Sequence, residues 1–226
     1  MPTRSTILAG IGILVVVLLA ILVTLDATDA IDEAVMDFVR EPDGPAVLEL
    51  LDPITELGST LAVTIVAALA LLVGVAIGPW RHGVIAAAVI GMASLGVELV
   101  KTVVARTRPE ILEPVLVERG FSFPSGHATL SMTAYGILAV LVGRSRIPRP
   151  AKIAAAVVAA VIIGLVGLSR VWVAVHFPSD VVAGWAAGAV IVLLFADLTR
   201  GVSREPAAAA VDADPAAPRS DPPAAG

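Results

Sequence analysis

Positions 5–25 carry no charged side chain; Arg4 precedes them and Asp26 follows. A helix needs about 20 apolar residues to cross a hydrocarbon core, so this stretch decides which solvent the chain is built for. Its apolar part, Ile7 to Leu25, exceeds the ~7–15 residues of a signal-peptide core, and no clear small-x-small cleavage site follows. A spanning helix is the better reading. The pattern recurs at about 61–77, 84–104, 128–142, 153–168 and 181–196. Composition agrees: 58% of the residues are hydrophobic and 15% charged, against about 45–50% and about 25% in soluble domains. The net charge of −5 and the lack of a long basic cluster argue against nucleic acid. The absence of Cys excludes disulfides, a thiolate nucleophile and Cys-based metal centres. The expected fold class is all-α, a polytopic six-helix membrane bundle.

Positive charge in short loops orients such a bundle. With the N-terminus inside, the inner segments hold Arg4, Arg81, Arg144, Arg146, Arg149, Lys152, Arg200, Arg204 and Arg219, nine of the 15 Lys and Arg. Both termini are therefore expected to be cytoplasmic. The membrane unit is expected over 1–204, followed by a disordered cytoplasmic tail, 205–226, of Ala, Pro and Asp that cannot build a core. The outer segment 26–60 holds ten acidic residues and one basic one. Ile31, Val35, Phe38 and Val39, then Val47, Leu50, Leu51 and Ile54, follow helical spacing. Two readings are open: short amphipathic helices on the membrane surface or folded over the bundle, and a solvated acidic loop whose apolar residues pack on the bundle.

Spans four to six are short. Sixteen helical residues reach only about 24 Å, less than the ~30 Å core, so these helices must borrow polar flanks, and ionisable residues at that depth point to function. Lys101, Arg108 and Arg170 gather near the outer ends, two of them guanidiniums that match phosphate oxygens. Pro124-Ser125-Gly126 precedes an apolar helix, where Ser125 can cap and free N–H groups can bind an anion. His127 and His176 come from different loops, and Asp180 lies four residues after His176, placed to fix one imidazole tautomer. Arg106, Arg119 and the tryptophans read as interface anchors or packing, and Glu98 as a helical partner of Lys101. The Arg144–Lys152 cluster reads as a topology determinant.

These blocks, Lys101-x6-Arg108-Pro109, Pro124-Ser125-Gly126-His127 and Ser169-Arg170-x5-His176-x3-Asp180, resemble the signature of the type-2 phosphatidic acid phosphatase family. The resemblance in helix order covers about Val84 to Thr199. It implies hydrolysis of a lipid phosphomonoester or diphosphate at the outer face of the cell membrane, through a phosphohistidine and without metal or other cofactor. The candidate substrates are polyprenyl diphosphate, phosphatidylglycerophosphate and phosphatidic acid. By that resemblance His176 attacks phosphorus, Asp180 orients it, and His127 serves as acid and then base. Lys101, Arg108, Ser125, Gly126 and Arg170 hold the phosphoryl oxygens. The expected partners are the lipid substrate and the bilayer, with no nucleic acid and no oligomeric state assigned. The competing readings are a vanadate-dependent haloperoxidase, which shares the anion site, and a six-helix transporter or structural membrane protein.

Overall fold

The structure, a computed structural model, describes residues 3–40, 51, 53–77, 80–109 and 118–202. All regular elements among them are helical: α1 (Arg4–Thr24), α2 (Asp29–Arg40), α3 (Thr60–Ile77), α4 (Trp80–Val104), α5 (Gly126–Arg144), α6 (Arg149–Trp172) and α7 (Pro178–Val202). Five of these, α1, α4, α5, α6 and α7, are long and apolar enough to cross a membrane; α3 is apolar and shorter. The short apolar stretches do borrow their flanks. α6 and α7 contain 24 and 25 residues, and at ~1.5 Å per residue either exceeds the ~30 Å core. The expected tail, 205–226, and most of the second acidic helix lie outside the described residues.

Local chemistry sets the helix ends that matter. Ser125 caps α5, its side chain accepting from the Ala128 N–H. Pro178 opens α7, where its missing N–H costs nothing. The Asp180 carboxylate then reaches back to accept from the Phe177 N–H at 3.0 Å, half of a capping box. At the end of α4 the exposed Ala105 takes a left-handed conformation, φ 53°, and its N–H donates to the Lys101 carbonyl at 2.8 Å.

α5 sits at the centre, against α3, α4, α6 and α7, while α1 lies along α7. The main apolar core joins Val66 and Ala70 of α3, Ile90 of α4, Ile137 and Leu141 of α5, and Phe195 of α7. Outer faces remain apolar: Met92, Leu95, Leu99 and Val103 form an exposed stripe on α4, the surface expected against lipid tails. Close approach of α5 and α7 depends on glycine. A Cβ on Gly184 would lie 2.8 Å from the Ser125 carbonyl oxygen, and one on Gly188 2.6 Å from the Met132 Cβ.

α2 is a helix folded over the bundle, as one of the two readings of the acidic segment has it, but its buried face is mixed. Its buried face carries Asp32, 1% exposed, with Met36, while Phe38 is 79% exposed and Ile31 also faces outward. Met36 packs beside Val171, Ala174 and Val181, the residues behind the polar end of α6 and α7. A carboxylate docks this helix together with Met36 and the partly buried Val39, while Ile31 and Phe38 of the expected stripe face outward.

Candidate active site

The last turn of α6 and the seven residues after Ser169 form one folded unit. Val173 N–H donates to the Ser169 carbonyl, and both Val175 and His176 N–H groups donate to the Arg170 carbonyl at 3.2 Å. Ala174 makes this reversal possible by adopting φ 55°. The spacing between Arg170 and His176 is thus the length of a turn that fixes the imidazole relative to the guanidinium. Both side chains are buried.

His176 has two distinct sides. Its Nδ1 lies 3.5 Å from Asp180 Oδ2, a contact longer than a well-formed hydrogen bond. Its Nε2 lies 3.2 Å from Arg108 Nη1. Complete burial pushes the imidazole pKa down to about 4, outweighing the nearby Asp180 carboxylate, which favours the charged form. His176 is therefore neutral near pH 7, with Nε2 facing the cations.

Arg108 extends from the chain after α4. It donates to the Val175 carbonyl at 2.8 Å and the Gly120 carbonyl at 3.1 Å. Arg170 donates to Thr55 Oγ1 at 2.6 Å, while its Nε is buried without a partner among the described residues. Lys101 approaches Gly126, where a Cβ would lie 3.9 Å from the ammonium, and pairs with Glu98 at 3.7 Å as the helical spacing predicts. Ser125 is fully buried. Its Oγ accepts from the Ala128 N–H at 3.4 Å, which leaves the hydroxyl proton available to donate.

Four of the expected residues converge around one further side chain. The Glu118 carboxylate contacts Arg108 Nη1 at 3.0 Å and pairs with Arg170. It lies 3.9 Å from His127 Nδ1 and 3.8 Å from His176 Nε2. An anion thus fits between two guanidiniums and two imidazoles.

Sequence reasoning missed four participants. Arg106, expected as an interface anchor, is instead built into the site, its side chain only 8% exposed. It donates to Asp180 Oδ1 at 2.9 Å, Asp32 Oδ2 at 2.9 Å, Asp29 Oδ1 at 3.2 Å and Ser179 Oγ at 2.8 Å, and it lies over the Phe177 ring. A lone Arg near an interface does have that bland meaning; its position two residues before Arg108 on a non-helical segment was the available signal. Asp32 completes the layer by accepting from Ser179 N–H and Oγ–H at 3.0 and 2.6 Å. Thr55 and Glu118 have no local pattern that marks them. Arg119 is exposed.

Comparison with known proteins points to one family. The family model described as the PAP2 superfamily matches residues 82–203. Phosphatidylglycerophosphatase B of Bacillus subtilis is 29% identical over 191 residues, covering 83% of this chain and 92% of that protein. Decaprenylphosphoryl-5-phosphoribose phosphatase of Mycobacterium tuberculosis is 37% identical over 97 residues, 41% of this chain and 48% of that one. The crystal structure of a transmembrane PAP2-type phosphatidylglycerolphosphate phosphatase from Bacillus subtilis superposes with a TM-score of 0.76 at 27% identity, covering 87% of this chain and 98% of that one.

Proposed function

The chain belongs to the PAP2 superfamily, and from that premise we propose that it is a multi-pass membrane phosphatase hydrolysing a lipid phosphomonoester or diphosphate through a phosphohistidine. One observation carries the reading: Arg108, Arg170, His127 and His176 surround a single point at which a carboxylate is already held. A phosphoryl group placed there meets two guanidinium forks, with Lys101, the Gly126 N–H and the Ser125 hydroxyl at the adjoining helix end.

The neutral Nε2 of His176 attacks phosphorus in line with the leaving oxygen. As the N–P bond forms and the P–O bond breaks, His127 gives its proton to the departing lipid oxygen. Asp180 stabilises the charge that develops on His176 through the Nδ1 side. His127, now neutral, takes a proton from water; the resulting attack breaks the N–P bond, releases phosphate and restores His176. Arg108, Arg170 and Lys101 stabilise the equatorial oxygens throughout, so most of the catalysis is positioning and electrostatics.

A lipid substrate is supported by a groove of about 660 Å³ bordered by α1, α4, α5 and α7. Its lining, including Val17, Val97, Val100, Pro124 and Ile191, is apolar. Val100 and Pro124 adjoin the Lys101–Gly126 end, so a tail in the groove delivers its phosphate to the cations. The relatives named above for phosphatidylglycerophosphate and decaprenylphosphoryl substrates support this class, which includes phosphatidic acid and polyprenyl diphosphate. The reading places six spans in the cell membrane, α3 being the second, with both termini cytoplasmic and the site at the outer interface. The membrane unit ends near residue 204.

The test is phosphate release by detergent-purified protein from diacyl and polyprenyl substrates, with EDTA present. Wild type turns over, His176→Ala does not, and an acid-labile phosphate is trapped on wild type alone. Dependence on added metal, or an active His176→Ala protein, rejects the mechanism.

A further inference from the structure

Among the described residues, Glu118 supplies the carboxylate contacts of both Arg108 and Arg170. Of the other acids nearby, Asp180 and Asp32 pair with Arg106 and Glu98 with Lys101, while Glu56 acts on Arg170 only at longer range. Arg170 is 1% exposed, so removing Glu118 without replacement leaves a buried cation unpaired. Glu118 itself is 25% exposed and has a path to water that Arg170 lacks.

We propose that Glu118 is a resident anion of the phosphoryl subsite, occupying in the free enzyme the place of the substrate's phosphoryl group and competing with every phosphate ligand for it. The proposal rests on the phosphatase reading above. A carboxylate and a phosphoryl group present the same fork of oxygens to a guanidinium, and the two cannot share one position. Binding is therefore an exchange. The carboxylate rotates to water as the phosphoryl group arrives, and the buried guanidinium passes from one anion to another.

Two consequences follow. Each phosphate ligand binds more weakly by the fraction of time the subsite is open, and that factor is common to substrate, product and inhibitor. A lipid held in the bilayer is presented at high effective concentration and still fills the subsite, whereas dilute phosphate leaves it to Glu118. Glu118 also returns to the subsite as phosphate leaves, which limits product inhibition.

The experiment compares full-length wild type, Glu118→Gln and Glu118→Ala in detergent. Orthovanadate and inorganic phosphate binding are read from the unfolding midpoint against anion concentration, and KM is measured on a lipid phosphate. Expected in Glu118→Ala is a fall of about tenfold in KM and in both anion constants, all by the same factor. Without anion that variant melts below wild type, and phosphate restores the difference. The near-isosteric Glu118→Gln shifts the constants in the same direction and keeps the test decisive if the alanine protein fails to fold. Unchanged constants, or weaker anion binding in either variant, overturn the proposal while leaving the phosphatase reading intact. Failure of vanadate and phosphate to stabilise any of the three proteins, with no turnover, overturns both.

Discussion

Arg106 shows how a side chain that need not touch substrate can govern the proposed nucleophile. Its guanidinium spans Asp180 and Asp32, and Asp180 faces the His176 imidazole. Arg106→Gln should lower kcat by about 10–100-fold with little change in KM, the usual scale for a partner that orients a catalytic group. Unpairing buried carboxylates should also cost about 3–5 kcal/mol, read from denaturation in detergent. Arg106→Lys should not rescue kcat, because one ammonium cannot reproduce the fork. The titration of His176 gives a second test at this scale. With its folded pKa near 4 and an ordinary value near 6.5, the unfolded chain binds a proton between these limits that the folded chain does not. The stability from neutral His176 is complete above pH 6.5 and is lost as pH falls toward 4. Nitrogen-15 NMR of labelled histidines, assigned with His82 and His127 variants, should find His176 neutral at pH 6.

Helix packing converts these contacts into a site. Gly184 lets α7 approach the capped end of α5, holding the Ser125 N–H 3.0 Å from the Asp180 carbonyl oxygen. Gly184→Ala should force the helices apart, reducing activity at least tenfold and stability by about 1–3 kcal/mol as overpacking does. Gly164 on α6 is the control: a Cβ there meets nothing within 4 Å, so Gly164→Ala should retain activity and match or exceed wild-type stability. The end of α4 offers the reverse substitution. Ala105→Gly relieves a left-handed alanine and should stabilise by about 1 kcal/mol, seen as a higher unfolding midpoint. The docking of α2 through Asp32 gives the acidic segment a structural role. Asp32 sits at i+3 from Asp29 near the positive end of the helix, where both meet Arg106.

At the scale of the whole molecule, Lys101, Arg108 and Arg170 gather at one end of the bundle and an apolar groove runs away from it. The proposed orientation puts the α5–α6 turn inside. A cysteine in place of Ile147, in a chain with no native Cys, should resist a membrane-impermeant thiol reagent in intact cells and react after permeabilisation. Labelling from outside reverses the orientation. Met92→Trp should fill the groove and raise KM for a long-chain phosphate while leaving orthovanadate binding unchanged, since Met92 lines the groove from an exposed position more than two helical turns from Lys101.

The uncharged stretches determine a helical membrane protein because buried backbone polar groups in lipid need internal partners, and a helix supplies them along a continuous segment. Spacing also carried the chemistry that lies within single segments: the Pro178 helix start, the His176–Asp180 approach and the Lys101–Glu98 pair. The ends of α5, α6 and α7 were less legible because polar flanks become helical when neighbouring helices cover them. Arg106, Asp32, Thr55 and Glu118 were hidden for a different reason. Their meaning depends on contacts across distant segments, such as Arg106 with Asp32 and Arg170 with Thr55. Burial gives those contacts their force: an exposed arginine anchors at an interface, but the same arginine enclosed with carboxylates must pair with them. Sequence periodicity determined the solvent and the elements, whereas tertiary packing decided which charges lost their water and therefore which had to find one another.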